Sequence, residues 1–327
     1  MTSRWHCGRV ARAGIAAAVC AALFVAVVPL LSGGSGAPLS AGASRAATIA
    51  APKSKPRRIV SLNLCTDQLL VDLADRSAIA ALSRLAADPV LSTVAGRVEG
   101  MRIVRGRAEE VLALSPDLVV TTAYSTPEAV AMLRRLGVPV LIVPLASDLD
   151  GVREAVRLLA AGIGEPERGE QVVRAFDARL AAAAPRETGR PSAIAYQVNS
   201  LTSGPGGLLH AALTAAGYRN AAEHMVLGPG ARLPLETLVT NPPDLVVLAN
   251  APDQFRTPLA DNLRHPAFRA ILSRGRHVGI DMPLWLCGTP AIADAVERLA
   301  VEQPALAVRN TASSSETARR RRGGSDG

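Results

Sequence analysis

This chain lacks the signatures of the common enzyme classes. Its 327 residues contain no Gly-x-Ser-x-Gly elbow, no phosphate-binding loop and no Gly-x-Gly-x-x-Gly turn. No His-Glu-x-x-His occurs, and His210, His224, His265 and His277 show no close paired spacing. These absences remove the sequence basis for a serine hydrolase, a nucleotide hydrolase, a dinucleotide enzyme or a zinc protease. Nothing forms a catalytic constellation, so no catalytic residue, cofactor or metal ligand is expected. Aromatic residues make up only 3% of the chain, and lysine occurs only at Lys53 and Lys55. Cysteine is nearly absent too, with four in all.

A basic excess is missing from the part that can fold. The formal net charge is +8, but residues 1–46 carry four arginines and no acid, and residues 309–327 carry five arginines and two acids. Residues 47–308 hold 27 bases against 26 acids. A nucleic-acid binder keeps its positive charge on the folded surface. Nucleic acid is therefore not an expected partner.

The two ends read as processing and tail segments. Arg4, Arg9 and Arg12 precede the uncharged apolar run from Ala13 to Leu31, and small residues at Ala41–Ala43 and Ala46–Ala47 follow. This is the pattern of a signal peptide over residues 1–46, cleaved near residues 43–47, and it predicts export to the periplasm. The alternative is a retained transmembrane anchor. Residues 47–57 read as a linker. Residues 309–327 carry too little apolar surface to order themselves and are expected to be disordered. Processing leaves Cys65 and Cys287, a number compatible with an oxidising compartment.

What the chain does contain is one phrase written twice. Glu109-Glu110-Val111-Leu112-Ala113-Leu114-Ser115-Pro116-Asp117-Leu118-Val119-Val120 returns as Glu236-Thr237-Leu238-Val239-Thr240-Asn241-Pro242-Pro243-Asp244-Leu245-Val246-Val247. Each copy reads as a short amphipathic helix, a Pro-Asp stop and a buried strand. The spacing predicts two lobes on one plan. Strand and helix patterns alternate over 58–165 and again over 186–308, which implies parallel βαβ units in an N-terminal and a C-terminal α/β lobe. Between them, Asp148 to Ala161 and Glu167 to Ala184 carry helical spacing. The second, placed at 166–185, is long enough, at about 27 Å, to serve as a spine between the lobes.

In a parallel α/β lobe, ligands bind beyond the carboxyl ends of the strands. The loops there place Cys65, Thr66 and Tyr124 on the first lobe and Asn199, Thr202, Trp285 and Cys287 on the second. Thr66 or Asp67 is expected to cap the first helix. Gly204–Gly207 reads either as an anion-binding turn or as a plain turn. Trp285 reads equally as a ligand contact or as a core residue under its loop. Cys65 and Cys287 have three readings: a disulfide, two inert thiols, or ligand contacts. Glu109 and Glu236 suit the positive ends of their helices. Their matched positions also suit a two-fold symmetric basic partner.

The Arg58–Leu70 opening, the Glu109–Val120 phrase, the spine helix and Leu284-Trp285-Leu286-Cys287-Gly288-Thr289-Pro290 together resemble the periplasmic substrate-binding proteins of iron-siderophore and vitamin B12 ABC importers, the class with a helical backbone. The resemblance spans about Arg57 to Gln303. It implies two Rossmann-like lobes, one joining helix, limited hinge motion and a ligand held in the cleft. It further implies a monomeric receptor whose Glu109 and Glu236 dock on arginines of a dimeric inner-membrane permease, with Glu110 as the substitute for Glu109. The chain departs from the vitamin B12 binders in its few aromatics, and Ile103 stands near where one is expected. The hydroxamate-siderophore binders often use cleft Arg and Tyr, for which Arg84, Arg105 and Tyr124 are available. The expected ligand is a ferric siderophore or cobalamin, with haem or another chelate behind them. The rivals are an exported α/β enzyme with its site in the same cleft, and a membrane-anchored binding module.

Overall fold

The strands of the first half are short runs of mostly apolar residues, and they stack side by side. The computed structural model describes residues 54–185, 189–228, 230–248 and 260–303, all within one compact unit, 49–327. The signal segment, the cleavage region and the C-terminal tail lie outside the described residues. β1 (Ile59–Ser61), β2 (Ile79–Ser83), β3 (Ile103–Val104), β4 (Leu118–Thr121) and β5 (Val140–Ile142) form one sheet in the order β3-β2-β1-β4-β5. Every pairing in it is parallel. A parallel sheet needs cover on both faces, and successive residues supply it. Ile59, Leu118 and Val120 enter one core; Val60 and Val119 enter the other.

The second half repeats the plan. β6 (Ser192–Ala195), β7 (Arg219–Asn220), β8 (Leu245–Leu248) and β9 (Arg276–Gly279) pair in parallel in the order β7-β6-β8-β9. Ala193, Leu245 and Val247 face one core, while Ile194, Val246 and Leu248 face the other.

The covering helices follow from the sequence pattern. α1 (Leu64–Leu73) buries Leu69, Leu70 and Leu73, and α2 (Ala108–Leu112) carries the first copy of the repeated phrase. α3 (Pro127–Arg135) has Pro127 in its first turn, and Gly137 just past its end adopts φ +78°, which a side chain would resist. In the second half come α6 (Leu208–Ala215), α7 (Leu235–Thr240), α8 (Asp261–Arg264), α9 (Pro266–Arg274), the short α10 (Pro283–Leu286), and a final helix, α11, over 292–303.

The repeated Pro-Asp does one job in both halves. Asp117 accepts the backbone N–H groups of Arg57 (2.7 Å) and Arg58 (3.0 Å) at the entry to β1. Asp244 accepts the N–H (2.7 Å) and hydroxyl (2.8 Å) of Ser192 at the entry to β6. Each carboxylate thus ties the start of one central strand to the start of its neighbour.

Two helices, rather than one alone, run between the halves. On α4 (Leu149–Gly162), Val152 belongs to the second-half core, while Val156 and Leu159 belong to the first-half core. On α5 (Pro166–Ala183), the order reverses: Val173 packs in the first and Phe176 in the second. The pair lies close, since a Cβ on Gly169 would meet the Cβ of Ala160. Arg153 bonds Asp177 at 2.7 Å and Arg157 bonds Glu170 at 2.6 Å across the pair. Arg179 of α5 then binds Asp294 and Glu297 of α11, fixing the spine to the second half.

Candidate functional site

The loops that leave β1 and β4 are laced together by side chains. Asn63 caps α1, its Oδ1 accepting the Cys65 N–H at 2.8 Å. The cap is therefore Asn63 and neither Thr66 nor Asp67, because β1 ends at Ser61 and α1 starts at Leu64, earlier than the spacing suggests. Asn63 Nδ2 donates to Ser125 Oγ at 2.7 Å, and Ser125 Oγ lies 3.1 Å from Thr122 Oγ1. An amide and two hydroxyls thus line the top of the first sheet. The sequence reading missed them, although Asn63, two residues before Cys65, carried a usable capping signal.

Beneath this layer lie three fully buried polar side chains, Ser61, Thr66 and Asp67, with half-buried Ser83 beside them. Thr66 is fully buried; its hydroxyl donates to the Asn63 carbonyl at 2.9 Å and lies 2.8 Å from Ser61 Oγ. It supports the turn from inside. Asp67 is also fully buried and accepts the Ser83 N–H at 3.1 Å and the Ser83 hydroxyl at 2.5 Å. Burial pushes the Asp67 carboxyl from 3.8 up to about 6, against the pull of the Ser61 and Ser83 hydrogen bonds. Through Asp67, α1 is tied to the end of β2, one residue before Arg84.

The remaining first-half residues are at the surface. Arg84 and Arg105 are exposed at the ends of β2 and β3. Tyr124 is 86% exposed on the loop after β4. The Arg105 N–H donates to the Glu110 carboxylate at 2.7 Å, which occupies that acid locally. Glu109 beside it is exposed in the first turn of α2, and Glu236 is exposed in the first turn of α7.

In the second half, Asn199 sits at φ 59° and accepts from the Arg232 guanidinium through both its side-chain and backbone oxygens. Thr202 is buried, its N–H bonding the Ala231 carbonyl at 2.8 Å, while its hydroxyl has no partner among the described residues. The Gly204 N–H is bonded to the Gly228 carbonyl at 3.1 Å and so is not turned toward an anion. A Cβ on Gly204 would run into the Leu227 carbonyl. Trp285 is only 8% exposed and lies in the second-half core with Leu284 and Ile292. It is a core side chain here, because residues 283–286 wind into α10 and turn it inward.

Cys65 and Cys287 are joined in a disulfide, with their Cα atoms 5.1 Å apart and 222 residues between them in sequence. The bond links the turn after β1 to the segment after β9. Neither sulfur is a thiol in this state, so neither acts as a nucleophile or a thiolate metal ligand. No group of three or more His, Cys, Asp or Glu among the described residues is placed to hold a metal ion. No helix among them is long and apolar enough to cross a membrane.

A cavity of about 460 Å³ also opens between α7 and α9, lined by Val239, Pro242, Ile271 and Arg274 among others. It lies at the amino ends of β8 and β9, the end of the sheet opposite the loops just described. By the strand-end rule it is not the ligand site.

Comparison with known proteins agrees with this architecture. The chain is 29% identical over 208 residues to a cobalamin-binding protein of Halobacterium salinarum, a match covering 62% of this chain. The chain spans 56% of the length of that relative. Among solved structures, a periplasmic heme-binding protein, RhuT, from Roseiflexus sp. RS-1 superposes with a TM-score of 0.60 at 24% identity, covering 75% of this chain and 97% of that one. A periplasmic heme-binding protein from Pseudomonas aeruginosa superposes with a TM-score of 0.59 at 24% identity, over 76% and 92%. HutB of Vibrio cholerae, also heme-binding, gives 0.61 at 17% identity, over 75% and 97%. These structural likenesses concern the fold. The periplasmic binding protein family matches residues 59–271; the chain belongs to that family.

Proposed function

We propose that this protein is a non-catalytic periplasmic receptor that carries a metal chelate to a dimeric ABC permease of the inner membrane. One observation carries the reading most directly. Two halves built on one plan present Glu109 and Glu236 exposed at matching places, the first turns of α2 and α7. A two-fold symmetric partner with basic residues would meet both at once. Glu110 is the weaker docking candidate, since its carboxylate already holds the Arg105 N–H.

Cobalamin and ferric siderophore are the favoured cargoes, and the cobalamin-binding relative supports the first. Haem is the second reading, favoured by the heme-binding structural neighbours. Asn63, Ser125 and exposed Arg84, Arg105 and Tyr124 are the first-half groups proposed to meet the ligand, with Asn199 opposite. Thr66 and Trp285 support their loops from within. Thr202 is a candidate only if its unpartnered hydroxyl is reached from the loop side. The Cys65–Cys287 bond speaks against the exported-enzyme alternative, because the Cys65 sulfur at the strand end is not a free nucleophile.

The test is a double charge reversal. Glu109→Lys with Glu236→Lys should abolish uptake of the cargo in cells while leaving its affinity for the purified protein unchanged. Uptake at the wild-type rate would sink the docking assignment.

A further inference from the structure

The Cys65–Cys287 bond joins two rigid bodies, not two loops. Cys65 stands in the first turn of α1, whose Leu69, Leu70 and Leu73 are anchored in the first-half core. Asn63 and its bond to Ser125 hold the same turn from the other side. Cys287 ends α10 and is fully buried, next to Leu284 and Trp285 of the second-half core. To separate the halves at this point, the chain must break the bond or pull a packed helix out of its core.

A second attachment lies beside the first. Gly288 follows Cys287, and a Cβ there would run into the Cβ of Ala146, on the segment leading into α4. Ala146 packs against the second-half core. Beyond it, α4 and α5 pass through both cores, with Val152 and Phe176 on one side and Val156 and Val173 on the other. A helix pair alone can bend as a hinge. A covalent link next to it, between anchored helices, removes that freedom except for rotation about the line through the two attachments.

We infer that the Cys65–Cys287 disulfide is a latch that limits how far the two halves separate. On the receptor reading, and resting on it, the latch also sets the rate at which ligand leaves the cleft. A limited opening leaves less of the bound ligand's path free, and differences of this kind appear mainly in dissociation.

The halves can be measured without any ligand. Ketone-bearing residues for spin labelling are placed at exposed Glu128 and Val226, one on each half, so that no cysteine is added. Pulsed electron resonance should give one narrow distance distribution for the oxidised protein. Cys65→Ser with Cys287→Ser should broaden it and shift it to longer distances. If that variant does not fold, the labelled wild type reduced with a phosphine gives the same comparison. In that reaction the disulfide oxidises the phosphine: two electrons pass from phosphorus to the sulfurs, and water supplies the oxygen of the phosphine oxide and the two protons that complete the two thiols. An unchanged distribution in the folded variant or in the reduced protein overturns the latch. Release of cyanocobalamin or haemin from unlabelled protein should quicken by about tenfold once the bond is gone, an effect in the dissociation rate. Faster release with unchanged distances also overturns it, since the bond would then act only locally. If neither compound binds the oxidised protein, the cobalamin and haem assignments fail, while the distance measurement still decides the latch.

Discussion

Asp67 is the fully buried acid beneath the candidate site. It sits fully buried at the start of α1 and reaches the end of β2 through Ser83. Its carboxyl is raised from 3.8 to about 6, with burial as the largest cause. A carboxyl raised in the folded state favours folding in its protonated form. That contribution is fully present below about pH 3.8 and is lost as pH rises through about 6, a span worth about 3 kcal/mol. Asp67→Asn removes the titration and keeps an acceptor for the Ser83 N–H. Denaturant titrations should show the variant gaining about 2 kcal/mol on the wild type between pH 4 and pH 7. A constant difference across that range would contradict the assignment. Asp117 and Asp244 can be tested at the same scale. Removing either leaves two donors at a strand entry unmatched, so Asp117→Ala and Asp244→Ala should each cost about 1–3 kcal/mol. A midpoint unchanged by either would show that its carboxylate is dispensable.

At the scale of elements, the spine is the feature most open to test. Gly169 lets α5 approach α4 closely, and both helices serve both cores. Gly169→Val should force the pair apart and cost about 1–3 kcal/mol as overpacking, seen as a lower denaturation midpoint. An unchanged midpoint would mean the helices have room to shift. Much of this layer was legible beforehand. Leu118–Val120 and Leu245–Val247 read as buried strands because parallel sheets need apolar side chains on both faces. The long α5 read as a spine from its length and spacing. The two-residue strands β3 and β7 are too short to show a period. α10 was missed for the same reason, and with it the inward turn of Trp285. That α4 shares the bridging role could not be read either, because its apolar stripe serves two cores and periodicity does not say which. The cap at Asn63 was misassigned because Asn63, Thr66 and Asp67 all suit the position, and only the end of β1 decides among them.

For the molecule as a whole, the surface and the links between its halves carry the functional account. The folded span is nearly neutral, with 27 bases and 26 acids in residues 47–308. On the proposed function, docking on a permease would rest on particular acids, Glu109 and Glu236, and not on a net field. The pairing of Cys65 with Cys287 stayed open in the sequence because 222 residues separate them. Only the relative placement of two sheets brings them together. Ligand identity was the least legible property, since the residues at the strand ends are short polar groups and exposed arginines with one exposed tyrosine among them. Native mass spectrometry of the mature, oxidised protein, titrated with cyanocobalamin, haemin and a ferric hydroxamate siderophore, tests the central claim most directly. The account predicts a one-to-one complex with at least one of them, carried by a chain two hydrogen atoms lighter than its reduced form. A spectrum that shows only the bare chain at saturating concentrations of all three would contradict it.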